Sequence, residues 1–187
     1  MITTSEIKRG ISIAVDGNLY QVVDVQHVKT KRSAVYKVKL RDLRAGHLIE
    51  RSFKAGEKLD DVRVERRSMQ FLYSEEDALT FMNTETYDQI QVAKTLLAEQ
   101  LPYMKESEVF EVMTYGDEAL GVTLPAAVEL KIEEADPGVK GDTATGATKP
   151  ATMETGLVVN VPLFLNRGDT IKISTSSGEY IERTASA

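Results

Sequence analysis

Ala34-Val35-Tyr36-Lys37-Val38-Lys39-Leu40-Arg41 is the stretch on which the fold turns. Its period is two: Ala34, Tyr36, Val38 and Leu40 fall on one side, and Val35, Lys37, Lys39 and Arg41 on the other. An extended strand separates residues in this way, because successive Cβ atoms point to opposite faces of the pleat. One face is apolar enough to bury, while the other is largely cationic. Upstream, Ile11, Ile13 and Val15 alternate in the same manner. Asp16-Gly17-Asn18 then supplies a tight reversal, since glycine tolerates positive φ and Asp and Asn bond back to their own backbone. Residues 19–25 read as the return strand, and Ala45-Gly46 turns the chain into residues 48–54. Together these pieces predict a small antiparallel β unit, with residues 28–33 as the tip of a hairpin.

The same grammar continues along the chain. Residues 68–73 and 79–83 flank the acidic turn Ser74-Glu75-Glu76-Asp77, and residues 109–115 and 120–124 flank Gly116-Asp117. Only residues 92–101 predict a helix: Ala93, Leu96, Leu97 and Leu101 sit at helical spacing, and Pro102 stops it. Beyond Ala126 the candidate strands are residues 128–132, 156–161, 170–174 and 180–183. Residues 136–150 hold Gly138, Gly141, Gly146, Pro137 and Pro150, and read as a long loop. Many short strands with regular turn signals predict an all-β protein of three small barrels in a row, over residues 1–64, 65–127 and 128–187.

Charge is distributed unevenly. The chain of 187 residues carries 23 Lys and Arg against 29 Asp and Glu, a net charge of −6. Residues 1–64 nevertheless hold 13 basic against 8 acidic side chains, a net +5, so the remainder stands at −11. Between His27 and Arg44 seven cations (Lys29, Lys31, Arg32, Lys37, Lys39, Arg41 and Arg44) face one acid, Asp42. Such polarity orients a protein on a polyanion with its basic end inward.

The residues needed for catalysis are mostly missing. With no cysteine there is no disulfide, thiolate nucleophile or Cys-based zinc site. The two histidines, His27 and His47, both lie in the basic part, where a lone histidine beside lysines reads as a surface residue. No HExxH, Walker A or GxSxG motif is present. Glu75-Glu76-Asp77 and Glu133-Glu134 are neighbours in sequence, whereas a catalytic carboxylate pair converges from different elements. The expectation is a binding protein rather than an enzyme, with no cofactor and no metal. No apolar run approaches the roughly 20 residues that span a bilayer, and the first residues are not a secretory leader, so a cytoplasmic protein without membrane contact is expected.

A family resemblance rests on four blocks. Lys149-Pro150-Ala151-Thr152-Met153-Glu154-Thr155-Gly156, continuing through Val161-Pro162-Leu163 to Gly168, is similar to the signature of the bacterial elongation factor P family. Asp136-Pro137-Gly138-Val139-Lys140-Gly141-Asp142-Thr143 resembles its DPGxKGDT block, and Ser177-Gly178-Glu179-Tyr180 with Arg183 its closing SGEYxxR. Phe81-Met82-Asn83 with Glu85-Thr86-Tyr87 resembles its FMNxETY block. The resemblance runs end to end. It implies an N-terminal KOW-like (SH3-like) barrel followed by two OB-type barrels.

It also implies a translation factor that enters the ribosome between the peptidyl and exit tRNA sites and relieves stalling at consecutive prolines. Its partners would be the RNA of both ribosomal subunits and peptidyl-tRNA, with the factor acting as a monomer. The hairpin tip would reach the peptidyl-transferase centre. Many relatives carry PGKG there, with a lysine that receives a β-lysyl group, and others an arginine that receives rhamnose. Here the tip reads Val28-Lys29-Thr30-Lys31-Arg32-Ser33. Counting back from Val38-Lys39-Leu40-Arg41, which resembles the family's VKLR, Lys31 takes the modified position, and Thr30 and Arg32 replace its flanking glycines. Lys29, Thr30, Arg32 and Ser33 are then supporting tip contacts, and Lys37, Lys39 and Arg41 the face toward tRNA and rRNA. A modifying enzyme acting on the lysine or arginine is a further implied partner, although one that reads the glycines would not accept this tip. Gly141, Asp142, Thr143 and Gly146 line up with the loop that approaches the exit-site codon and small subunit. Tyr180 and Arg183 are candidates for RNA contact, with packing the equal alternative for Tyr180. Lys149, Pro150, Gly156 and Pro162 read as turn and barrel-corner residues. Two rivals remain at this point: a paralogue of the same fold that binds ribosome or RNA without a polyproline role, and an enzyme working through the acidic clusters.

Overall fold

The computed structural model describes residues 1–29, 34–138 and 146–187. Strands β1 (Ile2–Thr3), β2 (Ser12–Val15), β3 (Asn18–Lys29), β4 (Ala34–Asp42), β5 (Leu48–Lys54) and β6 (Lys58–Val62) form one antiparallel sheet of order β1-β6-β2-β3-β4-β5. Asp16 (φ 52°) and Gly17 (φ 80°) make the two-residue turn between β2 and β3, with Val15 opposite Asn18. Positive φ at both central positions matches the right-handed twist of the flanking strands. In β4, Val38 and Leu40 are fully buried while Lys37, Lys39 and Arg41 are exposed, as the alternation predicts. Ile7, Ile13, Tyr20, Val22, Phe53 and Leu59 complete this core. β4 ends at Asp42, whose carboxylate accepts the backbone N–H of Arg44 and of Ala45, both at 2.8 Å.

Two five-stranded sheets follow. One contains β7 (Glu65–Ser74), β8 (Ala78–Asn83), β9 (Gln89–Ala93), β10 (Val109–Tyr115) and β11 (Glu118–Thr123) in the order β11-β10-β7-β8-β9. The other contains β12 (Ala127–Ala135), β13 (Thr148–Met153), β14 (Val158–Pro162), β15 (Thr170–Ser174) and β16 (Tyr180–Ala185) in the order β14-β13-β12-β15-β16. Leu130, Ile132, Met153, Val161, Ile171 and Ile173 form the centre of the last core. The chain packs as two units, Met1–Arg67 with Val112–Gly121, and Ser68–Glu111 with Val122–Ala187. In the first, Arg44 grips Glu118 with two parallel bonds, from Nε at 2.7 Å and Nη2 at 2.9 Å. Hydrogen bonding from Arg44 holds the Glu118 carboxyl below its ordinary pKa. In the second, Lys105 pairs with Glu154 at 3.1 Å and Tyr103 packs against the core of the last sheet.

Two expectations are corrected. Residues 92–101 are not an α-helix: Val92 and Ala93 end β9, and Lys94–Leu97 and Leu101–Tyr103 are single 3-10 turns. Pairing of Ala93 with Ala78 takes the first two residues into the sheet. What remains before Pro102 is too short to nucleate a stable helix, and Ala93 offers no capping side chain. Leu97 is fully buried all the same, so its apolar spacing served the core. The second correction concerns residues 136–150, whose last three residues belong to β13. Pro150 lies opposite Asn160 on β14 but beyond the final β12–β13 pair, Ala135 with Ala151, so on the β12 side no partner calls on its missing N–H.

Two buried polar side chains hold the chain ends, and each generates a test. Thr4 is fully buried; its Oγ1 donates to the Lys54 carbonyl at 3.0 Å and accepts the Gly56 N–H at 2.9 Å. Thr4→Val keeps the shape and strands both partners, so the urea midpoint should fall by the equivalent of about 1–3 kcal/mol with an unchanged slope. Asp169 accepts N–H bonds from Asn166 and Ala187, both at 2.9 Å, and these hold its carboxyl below the usual range. Because the folded pKa is depressed, its contribution is complete above the unfolded value of about 3.9 and disappears as pH falls through the lower folded value. Asp169→Asn should therefore be the less stable protein at pH 7, and the two urea midpoints should converge as pH is stepped toward 2.

Candidate nucleic-acid interface

β3 has 12 residues, about 40 Å of extended chain at roughly 3.3 Å per residue. Its first half is gripped by the barrel, with Leu19, Tyr20 and Val22 buried, whereas Gln26, His27, Val28 and Lys29 are exposed. The last described pair of the hairpin is Lys29 opposite Ala34. Thr30, Lys31, Arg32 and Ser33 lie outside the described residues.

The pairing register resolves the cationic face row by row. Lys37 lies between Gln26 on β3 and Ser52 on β5, with no carboxylate beside it on its row. Lys39 lies between Asp24 and Glu50, and Arg41 between Gln21 and Leu48. No ion pair with a described residue engages Lys29, Lys37, Lys39 or Arg41. Row by row, the positive charge is uncompensated at Lys37 and at Arg41, and is offset at Lys39, which two acids flank.

A bulge decides where Lys29 belongs. Val22 faces Leu40 but Asp24 faces Lys39, so Val23 is an extra residue on β3. The bulge reverses the phase of everything beyond it. His27 and Lys29 consequently share the face of Tyr36 and Val38, opposite to Lys37 and Lys39. His27 lies directly across from Tyr36, and the two rings stack with centroids 4.4 Å apart and planes 3° from parallel. Sequence reasoning placed His27 on the surface and missed the stack. Only the register brings the two rings together.

The second candidate loop is seen at its roots. Gly141, Asp142 and Thr143 lie outside the described residues. Gly146 has a φ of +102° and open space where a Cβ would stand. On the other side, a Cβ on Gly138 would come within 2.9 Å of the Leu163 carbonyl oxygen, so glycine is required there by close backbone approach. Lys149 is not a turn residue as expected: it lies within β13, is 6 % exposed, and donates from Nζ to the Asp136 carbonyl at 2.7 Å. That bond ties one root of the loop to the strand leaving the other. Tyr180 is half-buried against the last core. Arg183 stands 5.5 Å from the centroid of the exposed Phe164 ring and 3.9 Å from Asp169. Among the described residues no three His, Asp or Glu side chains converge as metal ligands, and no helix is long and apolar enough to cross a membrane.

Comparisons with known proteins agree along the whole chain. The models of the elongation factor P KOW-like domain, OB domain and C-terminal domain match residues 3–59, 64–122 and 128–183. Elongation factor P of Moorella thermoacetica is 49 % identical over 184 residues, covering 98 % of this chain and 100 % of that protein. Among solved structures, the eukaryotic translation initiation factor 5A from Methanococcus jannaschii aligns with a TM-score of 0.51 at 18 % identity, over 65 % of this chain and 92 % of that one. A translation initiation factor 5A family protein from Naegleria fowleri aligns with a TM-score of 0.52 at 15 % identity, over 66 % and 94 %. At such identities these two speak for the fold alone. Three family models laid end to end and a full-length relative at 49 % identity establish that the chain belongs to the elongation factor P family, translation elongation factors that act on the ribosome and are not enzymes.

Proposed function

We propose that this chain binds between the peptidyl and exit tRNA sites of the ribosome and stimulates peptide-bond formation at consecutive prolines, with Lys31 at the hairpin tip directed toward the peptidyl-transferase centre. The observation that carries this reading is the β3–β4 hairpin, whose arms leave the core while keeping exposed cations to their last described pair. Peptidyl-prolyl-tRNA is a poor reactant, because the ring restricts the backbone and removes a donor N–H. A cation held beside its terminal adenosine orients the ester for attack, which is catalysis by positioning supplied to an RNA active site. Lysine suits the role through its long stem and compact charge with three donors.

In this reading Arg32, Lys29, Thr30 and Ser33 assist at the tip, and Lys37, Lys39 and Arg41 face tRNA and rRNA. Gly141, Asp142, Thr143 and Gly146 approach the exit codon, with the Lys149–Asp136 tie setting the loop's roots. Tyr180 serves packing, and Arg183 offers its free edge to RNA beside Phe164. The three domains divide at 1–64, 65–127 and 128–187, and the factor works as a cytoplasmic monomer. A lysine- or arginine-modifying enzyme is a further partner.

One observation favours a second reading. Thr30 and Arg32 stand where relatives carry glycines, which removes easy access to positive φ at the tip. A paralogue serving another stalled state would account for this. Ribosome profiling of a strain lacking the factor separates the two, since stalls gather at Pro-Pro codons only under the first.

Lys31→Ala is expected to abolish rescue of a Pro-Pro-Pro reporter while leaving the thermal melt unchanged; full rescue by the variant removes Lys31 from the mechanism. On the neighbouring face, Lys37→Ala should flatten the salt dependence of ribosome binding by about 0.7–0.9 in log–log slope, the value of one phosphate contact. Lys39→Ala, already flanked by Asp24 and Glu50, should flatten it less.

A further inference from the structure

The stacked pair on the hairpin has more area than the barrel uses. Tyr36 is half-buried and packs against the N-terminal core, and its neighbour across β5 is the buried Phe53. His27 lies beyond it, outside the core and exposed, with one ring face covered by Tyr36. The cross-strand row Phe53, Tyr36, His27 thus runs from the interior to solvent, with Tyr36 packed on the core and the His27 ring backed by Tyr36. Two residues further along the same face stands Lys29, exposed and free of any ion pair with a described residue.

We propose that the outer face of His27 is a docking platform for one unpaired nucleobase of RNA, with Lys29 placed to meet the phosphate of the same strand. The proposal rests on the reading of this hairpin as the RNA-facing element. Three features of the pair suit a base. Parallel stacking on an aromatic face is how unpaired bases are held, and every base has a π-face to offer. The platform is fixed before the ligand arrives, because Tyr36 anchors it and the β3–β4 ladder holds the register; less conformational freedom is therefore lost on binding. The surrounding charge has the right sign, with Lys29 beside the ring and Lys37 on the opposite face of the hairpin, its row free of acids. A base pair inside a duplex is covered on both faces and offers the ring nothing, whereas an unpaired nucleotide can turn a free face to it. The site therefore selects single-stranded nucleotides.

Two variants and two probes test it. The probes are a loop-free RNA duplex with a four-nucleotide unpaired 3′ tail and the same duplex cut blunt. The variants are His27→Ala, which removes the face, and His27→Phe, which keeps a flat ring and removes the imidazole nitrogens. Wild type and His27→Phe should both prefer the tailed RNA. His27→Ala should bind the tailed RNA about 5- to 150-fold more weakly, the range for deleting one stacking ring, and bind the blunt RNA as wild type does. In the wild type, the His27 ring proton resonances should shift upfield on adding the tailed RNA and stay in place with the blunt one. The platform is refuted if wild type shows no tail preference, if folded His27→Ala retains it, or if folded His27→Phe loses it. Tri-proline rescue by Lys31→Ala judges the functional reading separately. A failed platform with Lys31 still essential leaves that reading standing, whereas an intact tail preference with Lys31 dispensable leaves the platform standing without it.

Discussion

The register of β3 on β4 holds the N-terminal unit together. With side chains alternating at a period of two, a slip by one residue would carry Val38 and Leu40 into water and press Lys37, Lys39 and Arg41 toward the core. Burying each of the two aliphatic side chains is worth about 1.5–3 kcal/mol, and an unpaired buried cation is far more costly, so both terms oppose the slip. The turns at either end agree: Asp16-Gly17 sets the phase of β2 on β3, and the Asp42 carboxylate closes β4 onto its own next turn. The hairpin is therefore gripped by its lower half, and its outer half inherits direction from the core. A finger of this kind can place a charge without itself being packed.

Electrostatics and covalent chemistry part company here. The chain is acidic overall, yet what an RNA surface would meet is the potential of one face of one hairpin. That face is itself uneven, because Asp24 and Glu50 sit beside Lys39 while the rows of Lys37 and Arg41 hold no acid. The described residues bring together cations, turns and one aromatic stack.

The blocks that carry the family resemblance are, where described, devices for turning the chain. Asn83 accepts the N–H groups of Glu85 and Thr86 at 2.8 and 3.2 Å, and Tyr87 then takes a φ of +64°. Gly138 allows the backbone to pass the Leu163 carbonyl, and Gly178 has a φ of +73° beside the Tyr103 hydroxyl. Lys149 ties Asp136 to β13. These residues identify the chain because the barrels need them, while the candidate tip at Lys31 is where this sequence departs from the commonest pattern.

Local pattern alone determined the alternation of β4, the tight turn at Asp16-Gly17 and the many-stranded, all-β character. Each depends on the conformational preference of a few adjacent residues, which is written in their order. The cationic hairpin was legible for the same reason. The helical spacing of Ala93, Leu96, Leu97 and Leu101 misled, since a buried 3-10 turn and an amphipathic helix ask for similar apolar positions, and the pairing of Ala93 with Ala78 settled the matter. Pro150 hid a strand, because it pairs with Asn160 of β14 on one side and lies past the end of the β12 ladder on the other, and only the register shows that. Tertiary structure alone decided the bulge at Val23, the opposite faces of Lys29 and Lys37, the stack of His27 on Tyr36 and the buried bond of Lys149. All of these are properties of two strands in register, and no single stretch of chain contains the information about which residue it will face.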